Sequence, residues 1–236
     1  MSLFIPEFIG TMLLIILGNG VVANVLLNKT KGNNSGLIVI ALGWAVAVFV
    51  GVYASVHLGG KGHLNPAVTI AMAFRGTFAW ADAETYILAQ FAGAIVGSFI
   101  VWAAYRQHFE ETPDGDRKLA VFCTSPAIKS NTHNIFTEIV GTFVLVFGAL
   151  LISSPDKTLG ALDALPVALL VLGIGVSLGG PTGYAINPAR DLGPRIAHFI
   201  LPISKKRNSD WGYSWIPVIG PIAGGVLAAF IYDLIK

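Results

Sequence analysis

Charge is what this chain has least of. Asp, Glu, Lys and Arg make up 12% of its 236 residues, where soluble domains carry about 25%. That supply cannot cover a folded surface with polar groups, so lipid is the expected solvent, and no stretch reads as a soluble domain. Cysteine is nearly absent as well. The single Cys123 allows no internal disulfide and says little about redox compartment. The net charge of +2 lacks the basic excess that a nucleic-acid partner calls for. Residues 1–5 hold no basic cluster, and the first apolar run is long enough to stay in a membrane, so no cleavable signal peptide is expected. His57, His108, His133 and His198 form no metal-ligand grouping, and no Ser-His-Asp set has usable spacing. Neither an enzyme nor a cofactor is expected.

What the chain has in quantity is apolar length. Hydrophobic residues make up 54%, and 27 glycines suit close helix contacts in a bilayer. A membrane-crossing helix needs about 20 mostly apolar residues. Six stretches meet that length, at 4–27, 36–58, 84–105, 134–154, 164–180 and 214–235. Polar links at 28–35, 106–133, 155–163 and 202–213 fit between them.

Two further apolar runs are too short to cross. Each opens on the same tripeptide, Asn65-Pro66-Ala67 and Asn187-Pro188-Ala189, and each follows a glycine-rich approach. Residues 67–74 would rise only about 12 Å as a helix, and Arg190, Asp191, Pro194 and Arg195 interrupt the run 188–201. The halves match elsewhere too. Glu7-Phe8-Ile9-Gly10-Thr11 parallels Glu138-Ile139-Val140-Gly141-Thr142, and Gln90 with Gly93 aligns with Pro221 and Gly224. Three full crossings and one half-helix per half make the repeat inverted, with repeats 1–105 and 134–236 joined by the loop 106–133 in one channel domain spanning 1–236. The chain is therefore expected to be an all-α membrane protein of six transmembrane helices and two half-helices.

Asn is a favoured helix cap and proline fits the first helical position. Asn65 and Asn187 should cap half-helices that meet head to head at the membrane centre. Each cap oxygen would accept from backbone N–H groups, leaving the amide NH₂ free to face a lumen. Irregular backbone at that depth must line water or be buried in protein. Glu7 and Glu138, inside apolar segments, are functional candidates by default.

The doubled Asn-Pro-Ala, the Arg190-Asp191 that follows the second copy and the paired Glu-x-x-Gly-Thr segments resemble the aquaporin family, in its glycerol-facilitator (aquaglyceroporin) branch. The resemblance spans nearly the whole chain. It implies a homotetramer with one pore per subunit and a four-residue selectivity filter. Arg190 matches directly, Tyr184 stands where phenylalanine is usual, and Gly175 leaves room that a histidine fills in water-only pores. The fourth position falls on Trp44 if the approach to Asn65 carries one extra residue, and on Ala45 if it does not. The Tyr184 hydroxyl would add a donor and acceptor to a normally apolar corner, favouring small hydroxy acids in protonated form. Glu7, Glu138, His63 and Asp191 are implied to support the pore loops, with Asp191 stabilising a half-helix N-terminus.

The function implied is a passive channel for glycerol, water and other small uncharged solutes. Alternatives are a strict water channel and a secondary transporter with alternating access, since inverted repeats and broken helices occur there too. A multi-pass protein of a prokaryotic cell membrane is expected, with both termini in the cytoplasm. That orientation puts nine Lys and Arg outside and four inside, the latter Lys61, Arg75, Lys157 and Lys236. Charge counting alone points the other way.

Overall fold

The structure, a computed structural model, describes residues 3–152 and 158–236. Helices α1 (Phe4–Leu26), α2 (Leu37–His57), α4 (Trp80–Ala104), α7 (Asn131–Ile152), α8 (Ala164–Thr182) and α10 (Ile216–Ile235) are the six long ones. Each is apolar and long enough to cross a membrane; α8 reaches that length with the 3₁₀ turn Gly160–Asp163 before it. The short helices α3 (Pro66–Phe74) and α9 (Pro188–Ile200) follow the two tripeptides. Among the described residues there is no strand. Residues 153–154 of the fourth expected segment and Lys157 of the charge count lie outside the described residues.

Three differences from the expected boundaries have physical causes. Helix α4 starts at Trp80, four residues early, because Asp82 in its first turn and Glu84 after it interrupt the apolar run that hydropathy follows. Asp82 there suits the positive end of the helix dipole. The stretch 106–133 is not simply a loop. It holds α5 (Arg106–Glu111) and α6 (Gly115–Ala120), the second capped by Asp114, whose Oδ1 accepts from the N–H groups of Asp116 and Arg117. Third, the charges and the proline at 190–195 do not break α9: Pro194 sits inside it and removes only one helical bond.

The halves interleave. Helix α1 packs on α2 and α4, and α10 packs on α7. Each half-helix is also held by the other half, α3 by α10 and α9 by α4, while α2 meets α8. The closest contacts obey the repeat. A Cβ on Gly93 would collide with the Phe8 carbonyl, and one on Gly224 with the Ile139 carbonyl. These are matched positions of α4 on α1 and of α10 on α7. Small residues let such helices approach backbone to backbone.

Candidate functional site

Asn65 and Asn187 stand in extended backbone, with φ of −155° and −157°, and proline takes the first helical position of α3 and α9. The Asn65 Oδ1 accepts from the Ala67 N–H at 2.9 Å. The Asn187 Oδ1 accepts from Ala189 and Arg190, at 3.0 and 3.2 Å. The amide nitrogens differ from expectation. Asn65 Nδ2 donates to the Ile186 carbonyl at 2.8 Å, and Asn187 Nδ2 donates to the Leu64 carbonyl at 2.8 Å. Each NH₂ is therefore not wholly free: one of its two hydrogens is fixed on the opposite loop and one remains for the lumen. Both residues line the central cavity.

The carbonyls that receive these bonds are presented by backbone in an unusual state. Leu64 has φ of 50° and Ile186 has φ of 45°. A positive φ is a genuine outlier for a β-branched residue and costs on the order of 1–3 kcal/mol unless its surroundings enforce it. The enforcement comes from the two buried glutamates. Glu7 Oε1 accepts from the His63 N–H at 3.0 Å and Ser55 Oγ at 2.9 Å, and its Oε2 accepts from the Leu64 N–H at 2.7 Å and Gln90 Nε2 at 2.8 Å. Glu138 repeats the pattern. Its Oε1 accepts from the Ala185 N–H at 3.0 Å and Thr182 Oγ1 at 2.7 Å, and its Oε2 from the Ile186 N–H at 2.8 Å. Gln90 adds a bond for which its repeat partner Pro221 has no donor. His63 is wedged beside Glu7: its Nδ1 lies 3.2 Å from Thr69 Oγ1, and its ring meets Phe78 and Tyr86 edge-on.

At the other end of the cavity three side chains converge. The Arg190 guanidinium lies over the Trp44 ring, 3.9 Å from its centroid, a cation–π contact. Trp44, Tyr184 and Arg190 all line the cavity, whereas Ala45 and Gly175 do not. The space that Gly175 leaves is already filled. A Cβ there would lie 3.0 Å from Tyr184 Cζ and 3.1 Å from its hydroxyl oxygen. That hydroxyl is buried with no hydrogen-bond partner, so it faces α8 rather than the lumen. The expected polar corner is therefore absent in this conformation, and Tyr184 presents the lumen with ring surface.

Asp191 does more than sit at a helix N-terminus. Its Oδ2 accepts from the Thr124 N–H and Oγ1, both at 2.7 Å, and its Oδ1 accepts from Arg195 Nε and Nη2, at 3.0 and 2.8 Å. Arg195 is fully buried and donates onward to the carbonyls of Thr124, Ser209 and Asp210. Arg195 and Thr124 were missed from sequence. The i,i+4 spacing of Asp191 and Arg195 on a helix was the available signal. Lys206 was missed too. Its Nζ reaches the carbonyls of His198, Phe199 and Leu201, at 2.6–2.8 Å, and so caps the open C-terminal end of α9.

The cavity holds about 670 Å³ and runs past Trp44, Arg190, Asn187, Asn65 and His63 to Lys61 and Asp163. Two half-helix N-termini point at its middle, each equivalent to roughly half a positive charge. Their walls are otherwise apolar, with Leu14, Val48, Val52 and Val171 among them. Such a lumen admits small neutral hydrogen-bonding solutes and opposes cations. Among the described residues no group of three or more His, Cys, Asp and Glu could hold a metal ion.

The whole pattern has known counterparts. The probable glycerol uptake facilitator protein of Thermotoga maritima is 57% identical over 233 residues, covering 99% of both chains. The glycerol uptake facilitator protein of Streptococcus pneumoniae is 52% identical over 228 residues, covering 97% of both. The X-ray structure of the aquaglyceroporin from Plasmodium falciparum superimposes with a TM-score of 0.86 at 32% identity, covering 98% of this chain and 94% of that one. The family model of the major intrinsic proteins matches residues 1–232, and the chain belongs to that family.

Proposed function

We propose that this protein is a passive channel for glycerol, water and other small uncharged solutes that excludes ions and protons. The observation that carries this reading is the crossed pair of asparagines, each capping its own half-helix and bonded to the opposite loop, inside one continuous cavity. A solute passing there meets one free N–H from each amide and two converging helix dipoles. Cations are opposed by the dipoles and by Arg190. Water oriented by the two amides cannot keep the continuous donor–acceptor order that proton hopping needs. At the constriction, Trp44 and Tyr184 take the carbon edge of glycerol and Arg190 its hydroxyls, while Gly175 acts from behind by seating the Tyr184 ring. Pro66, Ala67, Pro188 and Ala189 start the half-helices, and Glu7, Glu138, His63 and Asp191 support the loops.

The channel domain consists of repeats 1–105 and 134–236 with 106–133 between them. It works as a homotetramer in a prokaryotic cell membrane, both termini in the cytoplasm. The family resemblance supports the assembly and the orientation, and exposed apolar side chains such as Ile38, Leu169 and Val176 suit lipid or a neighbouring subunit. Cross-linking in membranes that stops at dimers would refute the tetramer. Orientation is read by labelling a Lys31→Cys variant in intact cells, where lack of labelling would invert the topology. The native Cys123 gives no background, because burial raises its thiol pKa well above the ordinary range.

The deciding test is light scattering from liposomes holding the purified protein, under glycerol and sucrose gradients. Fast, non-saturating glycerol entry supports the reading. Water flux alone would leave a strict water channel, and saturation with ion coupling would leave a transporter.

A further inference from the structure

Trp44 reaches the constriction from α2, but its position is decided on α1. A Cβ built on Gly18 would lie 2.5 Å from Trp44 Cε3 and nearer still to Cζ3 and Cη2. All three atoms belong to the six-membered ring, and near-equal short distances to three consecutive ring atoms place the Cβ over the ring, so one face of the ring rests on the bare backbone of α1. The opposite face of the ring carries the Arg190 guanidinium, 3.9 Å away. Trp44 is 3% exposed, so packing holds it on its other sides. The empty volume adjoining it is the cavity it lines.

We propose that Gly18 is a specificity-determining residue of this channel: by having no side chain, it seats the Trp44 ring against α1, and that seat sets the width of the constriction. The inference rests on the filter role given to Trp44 above. An ordinary carbon contact begins near 3.4 Å, so a methyl group at 18 requires the whole ring face to retreat by about 1 Å. An indole is rigid and cannot bend away from a group pressed on its face. It turns into the lumen and carries its contact with Arg190 along. Pore width and lining donors decide selectivity at such a point. A shift that size matters greatly for a three-carbon polyol and little for water. Gly18 touches no solute; it acts through Trp44 and is a positioning residue. Alanine favours a helix interior over glycine by about 1 kcal/mol, so any loss cannot come from a weaker helix.

The test compares the parent, Gly18→Ala, Trp44→Phe and the double variant in liposomes, with water and glycerol permeability measured separately. Trp44→Phe ends the ring short of the atoms that press on position 18. For Gly18→Ala the expected result is a glycerol permeability lower by about tenfold, with water flux within about threefold of the parent. The double variant regains glycerol flux to the level of Trp44→Phe alone. Glycerol flux in Gly18→Ala equal to the parent would overturn the proposal, as would a loss that Trp44→Phe does not rescue. If Gly18→Ala fails to fold, the double variant decides. Folding with glycerol flux supports the seat, and failure makes Gly18 a helix-packing residue only. Trp44→Phe alone separates the two levels of inference. If it leaves the glycerol-to-water ratio unchanged, the filter role of Trp44 is what has failed.

Discussion

Replacing Glu138 by glutamine keeps the shape of the side chain and removes one acceptor oxygen. In the parent, Oε1 receives the Ala185 N–H and Oε2 receives the Ile186 N–H. A glutamine has one oxygen, so whichever way its amide turns, one buried backbone N–H faces an NH₂. An orphaned buried donor costs about 1–3 kcal/mol. For a chain of this length, 1 kcal/mol corresponds to about 2–4 °C in melting temperature, so Glu138→Gln should melt about 6 °C lower. Glu138→Ala orphans both N–H groups and should lose about twice as much. Flux should fall with stability, because Ile186, released from its positive φ, no longer offers its carbonyl to Asn65.

The same change at Glu7 should be milder. Gln90 sits against Oε2 with its own carbonyl oxygen unpartnered. Turning that amide gives the new NH₂ an acceptor. Pro221, at the matched place, offers none. The difference should be about 1 kcal/mol. Thermal melting in detergent and glycerol flux in liposomes both read it. An unchanged melting temperature for Glu138→Gln, or a larger loss at Glu7 than at Glu138, would refute this account of the loops.

Three other outcomes are expected. Tyr184→Phe should leave water and glycerol permeability within about twofold and hold or raise the melting temperature, since it deletes a buried hydroxyl with no partner; a changed solute ratio by light scattering would show that the hydroxyl reaches the lumen. Asp191→Asn leaves the Arg195 charge buried without its counter-ion, a loss of about 3–5 kcal/mol, and should appear as poor recovery of folded protein on size-exclusion chromatography. Lys206→Met should cost about 1 kcal/mol by uncapping α9, seen as a small melting shift with the water-to-glycerol ratio intact.

How far the sequence could be read follows from how local each feature is. The half-helices were legible because cap, proline and helical run are contiguous, within ten residues for α3 and fourteen for α9. Glu7 and Glu138 were legible because an ionisable group in an apolar run is conspicuous. The amide bonds of Asn65 and Asn187 were not, because their partners lie 121 and 123 residues away on the other loop. The helices α5 and α6 escaped because six-residue polar helices leave no hydrophobic period to detect. The direction of the Tyr184 hydroxyl depends on Gly175 and Gly179 beneath its ring, and spacing along the chain says nothing of that. Arg195 was visible only as an interruption, although its four-residue distance from Asp191 described a buried pair.

The crossed asparagines also govern when the pore comes into being. Neither repeat can complete its own dipping loop, since the Leu64 carbonyl waits for Asn187 and the Ile186 carbonyl for Asn65. During synthesis the first repeat enters the membrane with a polar loop still short of partners, a state the bilayer penalises. The loop reaches its final form only when the second repeat arrives. The same long sequence separation that makes folding slow therefore postpones the opening of a conducting path until the chain is whole. A half-made protein does not perforate the cell that is making it.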